Sequence, residues 1–157
     1  MIRLLRPWHA NLHKRQVKSP KVYFRDSGLL HYLLGIRTEL DLYTHPKVGA
    51  AWEGYTIEET IKAFSPDEAY FWATHGGAEL DLLLLKDGQR IGVECKRMDA
   101  PRLTPSMRHA LEDLQLHLLL ILYPGYTMYP LAERIQVVPL AYLAQPASIS
   151  NLLSLNL

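Results

Sequence analysis

The sequence predicts an α/β fold in which a central mixed sheet is flanked by helices. Three apolar runs follow one another between residues 69 and 95, separated by glycine-bearing turns, which is the pattern of neighbouring strands. A segment with helical periodicity lies on each side of these runs, and another apolar run follows the second segment. The predicted order is therefore one helix, three strands, a second helix and a fourth strand.

Length and composition suit one domain of this class. The chain has 157 residues, of which 48% are hydrophobic, enough to enclose a single sizeable core. We expect residues 46–157 to form this core. Residues 1–45 are expected to form a basic amino-terminal arm and a short helix packed on the core.

The short helix of the first segment is expected over residues 28–34. Asp26 and Ser27 offer an N-cap for it, and Gly35 closes it. Residues 21–24, just before it, have strand character.

The core begins with a longer helix, expected over residues 47–64. Glu58 stands four residues before Lys62 on this helix, a spacing that supports helical structure, and a Ser-Pro-Asp run ends it. The elements expected after it are strands over residues 69–73, 80–85 and 91–95, a helix over residues 105–116, and strands over residues 118–123 and 135–138.

The first 25 residues are strongly basic. They contain seven Arg or Lys residues and no acid, whereas the net charge of the whole chain is only +1. Such an arm is able to follow a phosphate backbone, because neutralising phosphates supplies most sequence-independent affinity for nucleic acid. The candidate nucleic-acid contacts here are Lys14, Arg15, Lys18 and Lys21. The alternative is that the arm is solvated or docks on another domain.

Four polar residues interrupt the second and third apolar strands. Glu79 and Asp81 share one face of the second strand, and Glu94 and Lys96 share one face of the third. Hard divalent cations such as Mg²⁺ or Mn²⁺ take carboxylate oxygens, and a nearby ammonium is able to position an attacking water. The pattern therefore favours metal-dependent phosphodiester chemistry.

Structural interpretations of these residues stay open at this point. Glu94 and Lys96 could form a surface pair on an edge strand, with Asp81 an ordinary acid at a strand end. Glu79 either supports the site or is solvated near the turn. Arg97 either meets a phosphate or is a solvated charge. Zinc is disfavoured, because none of the seven histidines has a spacing such as His-Glu-x-x-His.

The order of elements and three short motifs resemble the PD-(D/E)xK nuclease superfamily, which has a restriction-endonuclease-like core. The motifs are Gly49-Ala50-Ala51-Trp52-Glu53 on the first helix, Glu79-Leu80-Asp81 on the second strand and Glu94-Cys95-Lys96 on the third. The resemblance implies that Asp81, Glu94 and the Cys95 backbone carbonyl bind Mg²⁺ or Mn²⁺ and that Glu53 completes the metal site. It implies catalytic roles for Glu53, Asp81, Glu94 and Lys96.

A narrower resemblance covers nearly the whole chain. Residues 17–30 and the run Tyr70-Phe71-Trp72 look like the uncharacterised domain found at the carboxy end of many prokaryotic AAA+-type ATPases. Leu80 replaces the usual proline of the motif, and Gln115 lacks a tyrosine four residues later, where Leu119 stands. The chain has no Gly-x-x-x-x-Gly-Lys-Ser/Thr phosphate loop, so we expect no nucleotide hydrolysis from it.

These observations predict a metal-dependent nuclease acting on DNA or RNA, associated with or derived from an ATPase-linked system. The alternative is a non-catalytic module of the same fold that binds nucleic acid or an AAA+ ATPase partner in the same or a neighbouring chain. Cleavage of a duplex would suggest a homodimer.

The compartment predicted from the sequence is the cytoplasm. Cys95 is the only cysteine, which suits a reducing environment, and no apolar run reaches the roughly 20 residues of a membrane helix. The first residues also lack the features of a signal peptide.

Overall fold

The computed structural model describes residues 1–9, 17–145 and 147–154, and within these ranges eight strands form one sheet. The strands are β1 (Ile2–Pro7), β2 (Lys21–Phe24), β3 (Glu68–Ala73), β4 (Glu79–Lys86), β5 (Gln89–Cys95), β6 (Leu118–Tyr123), β7 (Tyr129–Ala132) and β8 (Ile135–Pro139). The helices are α1 (Ser27–Leu33), α2 (Glu39–Thr44), α3 (Val48–Phe64), α4 (Pro105–Asp113) and α5 (Ser148–Leu153), with a 3-10 helix at Leu140–Ala144.

The sheet is mixed, with the strand order β2-β1-β3-β4-β5-β6-β8-β7. β3, β4 and β5 are consecutive antiparallel neighbours, and β6 runs parallel to β5 after the crossover through α4. The chain order α3, β3, β4, β5, α4, β6 is the predicted one. The predicted α/β fold, a central mixed sheet flanked by helices, is therefore confirmed.

A helix covers each face of the centre of the sheet. Ile57 of α3 belongs to the same buried cluster as Leu82 and Val93, on one face. Met107 of α4 belongs with Leu83 to the cluster on the other face, which also encloses the fully buried Trp72. The sheet is thus buried on both sides where β4 and β5 run together.

The amino-terminal segment, expected as a basic arm, contributes two strands to the sheet. β1 pairs antiparallel with β2 and parallel with β3. The strand at residues 2–7 is missing from the prediction because Arg3, Leu4, Leu5 and Arg6 do not alternate between polar and apolar side chains. Lys14 and Arg15 lie outside the described residues.

Two of the basic residues in this segment bind a buried acid. Arg3 of β1 donates hydrogen bonds to Glu58 of α3 through Nε and Nη2, and the Nε atom of Arg25 lies 3.3 Å from the same carboxylate. Burial alone would raise the pKa of Glu58, but the hydrogen bonds and charges of Arg3 and Arg25 outweigh it and lower this pKa. These contacts tie the β1–β2 hairpin to α3.

A close approach between α3 and β2 depends on Gly54. A Cβ atom added there would lie 3.2 Å from Cδ1 of Tyr23, tighter than ordinary van der Waals contact. The missing side chain lets β2 lie directly against the turn of α3 that carries Glu53.

The second core helix ends earlier than the sequence predicts. α4 ends at Asp113 instead of residue 116, because Gln115 adopts a left-handed backbone conformation with φ of 52°. The Leu116 N–H donates to the Leu111 carbonyl and the Gln115 N–H to the Glu112 carbonyl, which closes the helix as a Schellman motif. Gln115 therefore lies in a turn and not on the helix.

None of the described helices combines the length and the apolar character needed to cross a membrane.

The Glu58 contacts give a direct stability prediction. Glu58→Ala is expected to lower the free energy of unfolding by about 2–3 kcal/mol, because two guanidinium groups lose their buried partner. Glu59→Ala is the matched control: within the described residues Glu59 pairs with the exposed Lys62, and loss of this solvent-exposed contact should leave stability nearly unchanged. Urea unfolding of both variants provides the measurement. Equal losses of stability in the two variants would contradict a stabilising role for the contacts of Glu58 with Arg3 and Arg25.

Candidate active site

The candidate site lies where β4 and β5 separate. Their paired register runs from Lys86 and Gln89 at the turn to Leu82 and Val93. Beyond this last pair, the Cys95 N–H donates a hydrogen bond of 2.8 Å to Oδ2 of Asp81. A side chain thus takes the place of a backbone acceptor, and the Asp81 carboxylate is held between the two strands.

A β-bulge aims Asp81 into this position. The register between β3 and β4 shifts between Tyr70 and Trp72, so that Asp81 and Leu82 together lie opposite Phe71. Leu80 and Leu82 consequently pack on opposite faces of the sheet, although two residues apart on a regular strand share a face. Bulges commonly redirect a side chain in this way.

Glu53 reaches the site from α3 and meets two side chains of β2. Lys21 Nζ lies 3.2 Å from Oε1 of Glu53 and 3.9 Å from Oδ1 of Asp81. The Tyr23 hydroxyl donates a hydrogen bond to the same Glu53 oxygen. Glu53 and Asp81 therefore face one shared ammonium group.

Glu94 and Lys96 form the other half of the site. Lys96 Nζ lies 3.0 Å from Oε2 of Glu94, and the Glu94 residue is only 3% exposed. The Lys96 N–H donates to the Leu122 carbonyl at 2.9 Å, which continues the pairing of β5 with β6 and holds the lysine backbone. The pair is thus largely enclosed and not a solvated surface pair.

The electrostatics couple the two halves at Asp81. Burial, and then the nearby Glu53 charge, raise the pKa of Asp81 against the opposing effects of the Cys95 N–H, Lys21 and Lys96. Burial, and then the Asp81 charge, raise the pKa of Glu94 to about 8. Each carboxylate therefore gains from additional positive charge in the gap between the strands.

The two lysines remain positively charged. Burial alone would lower the pKa of Lys21, but Glu53 and Asp81 outweigh it and raise the pKa. The pKa of Lys96 is raised in the same way, by Glu94 and then Asp81 against burial. Burial also raises the pKa of the Tyr23 hydroxyl, with Glu53 adding to the effect, so Tyr23 stays a neutral donor.

The donor set fits a hard divalent cation. Carboxylate oxygens of Glu53, Asp81 and Glu94 and the backbone carbonyl of Cys95 are the ligand types that Mg²⁺ and Mn²⁺ prefer. Burial raises the pKa of the Cys95 thiol well above its usual range, so the thiol is not a thiolate ligand. In the described ranges no three His, Cys, Asp or Glu side chains are already arranged to hold a metal, and Lys21 stands between two of these carboxylates.

The remaining predicted residues lie around this cluster. Glu79 is exposed, and its backbone N–H donates to Ser106 Oγ at 3.0 Å. Arg97 is exposed, with its guanidinium carbon 5.7 Å from the centre of the Tyr43 ring. Lys18 is also exposed.

The sequence did not predict the contacts that two residues of the site, Lys21 and Tyr23, make with Glu53. Lys21 was expected to contact nucleic acid from a free arm, and Tyr23 was not singled out. Both lie on one face of β2, two positions apart, and that alternation was the available signal. It could not show that this face meets Glu53, because the pairing of β1 with β3 sets the position of β2.

Comparison with known proteins matches the chain to two families. The family described as "Domain of unknown function (DUF4143)" matches residues 48–143, and the family described as "Domain of unknown function (DUF8612)" matches residues 1–40. The first match contains the three carboxylates and Lys96. The second contains Lys21 and Tyr23, so the cluster draws on both segments.

Similar proteins are themselves uncharacterised. One protein of Mycobacterium bovis and one of Mycobacterium tuberculosis are each 45% identical over 155 residues, which covers 99% of this chain and 35% of the relative. The chain therefore spans about a third of the length of these curated relatives. No solved structure matches it.

The raised pKa of Glu94 gives a pH prediction for the protein kept in chelator. The native carboxyl keeps its proton up to a pH of about 8, whereas the ordinary value is 4.5, so between these values the native state binds more protons. Stability should therefore fall as the pH rises from about 5 to 8, by at most about 1.4 kcal/mol per pH unit from this group.

Glu94→Gln isolates this contribution. The variant lacks the titrating group, so the difference in the free energy of unfolding between variant and wild type should grow in favour of the variant as the pH rises through this window. Urea unfolding at several pH values measures it. A difference that does not change with pH would show that Glu94 is not buried beside Asp81.

Proposed function

The chain belongs to the DUF4143 family, and on that premise we propose that it is a metal-dependent nuclease of the PD-(D/E)xK type that hydrolyses phosphodiester bonds of DNA or RNA. The observation that carries the proposal is the buried pair of carboxylates, Asp81 and Glu94, beside the Lys96 ammonium. Buried acids with raised pKa values that share an enclosed gap with a lysine are candidates for a functional site.

Purely structural needs do not account for this arrangement. A buried carboxylate such as Glu58 is held by two arginines and its pKa is lowered, as expected for a stabilising contact. Asp81 and Glu94 have raised pKa values, so their burial costs stability. Groups that destabilise the folded chain in this way are typical of sites whose purpose is to bind or to react.

In the proposed reaction, Asp81, Glu94 and the Cys95 carbonyl hold a Mg²⁺ or Mn²⁺ ion, with Glu53 completing the site. When bound, the metal polarises the scissile phosphate and lowers the pKa of a coordinated water. Lys96 orients the attacking water and stabilises the negative charge that develops on the phosphate. The Cys95 N–H fixes the Asp81 carboxylate for this task, and Glu94 keeps the Lys96 ammonium in place.

The family and the length of the relatives support a proposal for the partners. DUF4143 domains are known to follow AAA-type ATPase domains. We infer that an AAA+ ATPase module works with this domain in the same or a neighbouring chain. Nucleic acid is the proposed substrate, the cytoplasm the proposed compartment, and a homodimer would supply two sites for cutting both strands of a duplex.

A cleavage assay tests the proposal. In Mg²⁺ or Mn²⁺ the wild type should cut single-stranded, duplex or branched nucleic acid, and chelator should abolish cutting. Asp81→Asn should reduce the rate about 100-fold or more, because it weakens metal binding and with it both phosphate polarisation and water activation. Asp87→Asn is the control, since Asp87 lies exposed in the β4–β5 turn.

Lys96→Met separates the lysine from the metal site. Cleavage should fall about 100-fold, the scale of a lost acid–base or charge-stabilising group, while Mn²⁺ still binds in calorimetry. If the wild type binds nucleic acid but cuts none of these substrates in either metal, the domain is a non-catalytic binding module and the proposal is wrong.

A further inference from the structure

Lys21 holds a position that its place in the amino-terminal segment does not explain. Its Nζ atom lies 3.2 Å from Glu53 and 3.9 Å from Asp81, and 5.3 Å from the centre of the Phe71 ring. Only about a third of its side chain is exposed. An ordinary surface lysine keeps its ammonium in water, whereas this one is enclosed between two acids over an aromatic ring.

The surrounding structure holds Lys21 there. It is carried by the edge strand β2, and β2 is fixed to α3 by the binding of Glu58 to Arg3 and Arg25 and by the close contact at Gly54. Tyr23, two positions along the same strand, holds Glu53 through its hydroxyl. Lys21 therefore reaches Glu53 and Asp81 from a strand that is held against α3, and not from a free arm.

We propose that Lys21 is the internal counter-ion of the site: its ammonium occupies the space between Glu53 and Asp81 that a divalent cation must enter, and once displaced it helps to hold the substrate phosphate. This inference rests on the proposed function, because it concerns the same carboxylates. It extends the site beyond residues 48–143 into the segment at residues 1–40.

The charge balance supports this role. With all groups ionised, Glu53, Asp81 and Glu94 carry three negative charges and Lys21 and Lys96 carry two positive charges. A divalent cation changes this balance to one net positive charge, which a single phosphodiester neutralises. Without Lys21 the metal-loaded site would be neutral and would attract a phosphodiester less strongly.

Lys21 should therefore have opposite effects on the two ligands. It competes with the cation for Glu53 and Asp81, so it weakens metal binding. It adds positive charge to the metal-loaded site, so it strengthens phosphate binding. If Lys21 had a merely structural role, its removal would weaken both metal binding and phosphate binding, because the site would be less well formed.

Calorimetry with Mn²⁺ on the full chain is the first arm of the test. Lys21→Met keeps an unbranched side chain over Phe71 and removes the charge, and it should bind Mn²⁺ about tenfold more tightly than the wild type. Lys21→Arg keeps the charge and should stay close to the wild type. Lys62→Met, at an exposed lysine of α3 outside the site, is the matched control and should change nothing.

The second arm measures the binding of a nucleic acid to the protein in the presence of Mn²⁺. The probe is a fluorescein-labelled DNA oligonucleotide with phosphorothioate linkages, which resist hydrolysis, and anisotropy reports its binding. Lys21→Met should bind it about tenfold more weakly, the scale of one lost charge-assisted contact. Lys21→Gln is the second neutral variant should the methionine variant fail to fold, which circular dichroism would reveal.

The outcomes separate this inference from the proposed function. Tighter Mn²⁺ binding together with weaker DNA binding in the neutral variants supports the inference. Unchanged or weaker Mn²⁺ binding in folded neutral variants, with the wild type still binding Mn²⁺, overturns it and leaves the metal-dependent nuclease intact. If the wild type binds no Mn²⁺, the proposed function fails and the inference fails with it.

Discussion

Asp81 experiences the negative charge of Glu53 and adds its own to that of Glu94, and these acids need compensating positive charge. Much of the surrounding structure supplies it. Asp81 and Glu94 are almost fully buried, and burial together with the neighbouring negative charge raises the pKa of both carboxyls. Lys96 reaches Glu94 from β5, and Lys21 reaches Glu53 and Asp81 from β2. The positive charge is therefore supplied from two separate segments of the chain.

The β1–β2 hairpin supplies part of this positive charge to the site. Arg3 and Arg25 secure it to α3 through Glu58, and this contact leaves β2 in position to present Lys21 and Tyr23 to the site. The pKa of Glu58 is lowered, as expected for a stabilising contact, whereas at Asp81 and Glu94 burial outweighs the favourable contacts and the pKa is raised. Glu58 thus stabilises the fold, whereas Asp81 and Glu94 are the acids that we propose bind a cation.

The sequence predicted the central elements well because their signals are local. Apolar runs with short turns specified β3, β4 and β5, and helical spacing specified α3 and α4. The same alternation placed Glu94 and Lys96 on one side of a strand. Non-local features could not be predicted: the bulge that aims Asp81 depends on the register of β4 against β3, and the contact of Lys21 with Glu53 depends on the pairing of β1 with β3. Gln115 lies beyond the end of α4 because it adopts a left-handed backbone conformation, which no composition rule favours at glutamine.

The central claim is that Asp81 and Glu94 share one hard cation. Anomalous diffraction from a crystal soaked in Mn²⁺ tests it most directly, because the ion is located independently of any activity. The account predicts one strong peak with oxygens of Asp81 and Glu94 at about 2.0–2.6 Å, and Lys21 moved away from Asp81. No ordered Mn²⁺ in the gap between β4 and β5, or an ion bound elsewhere with both carboxylates unligated, would contradict it.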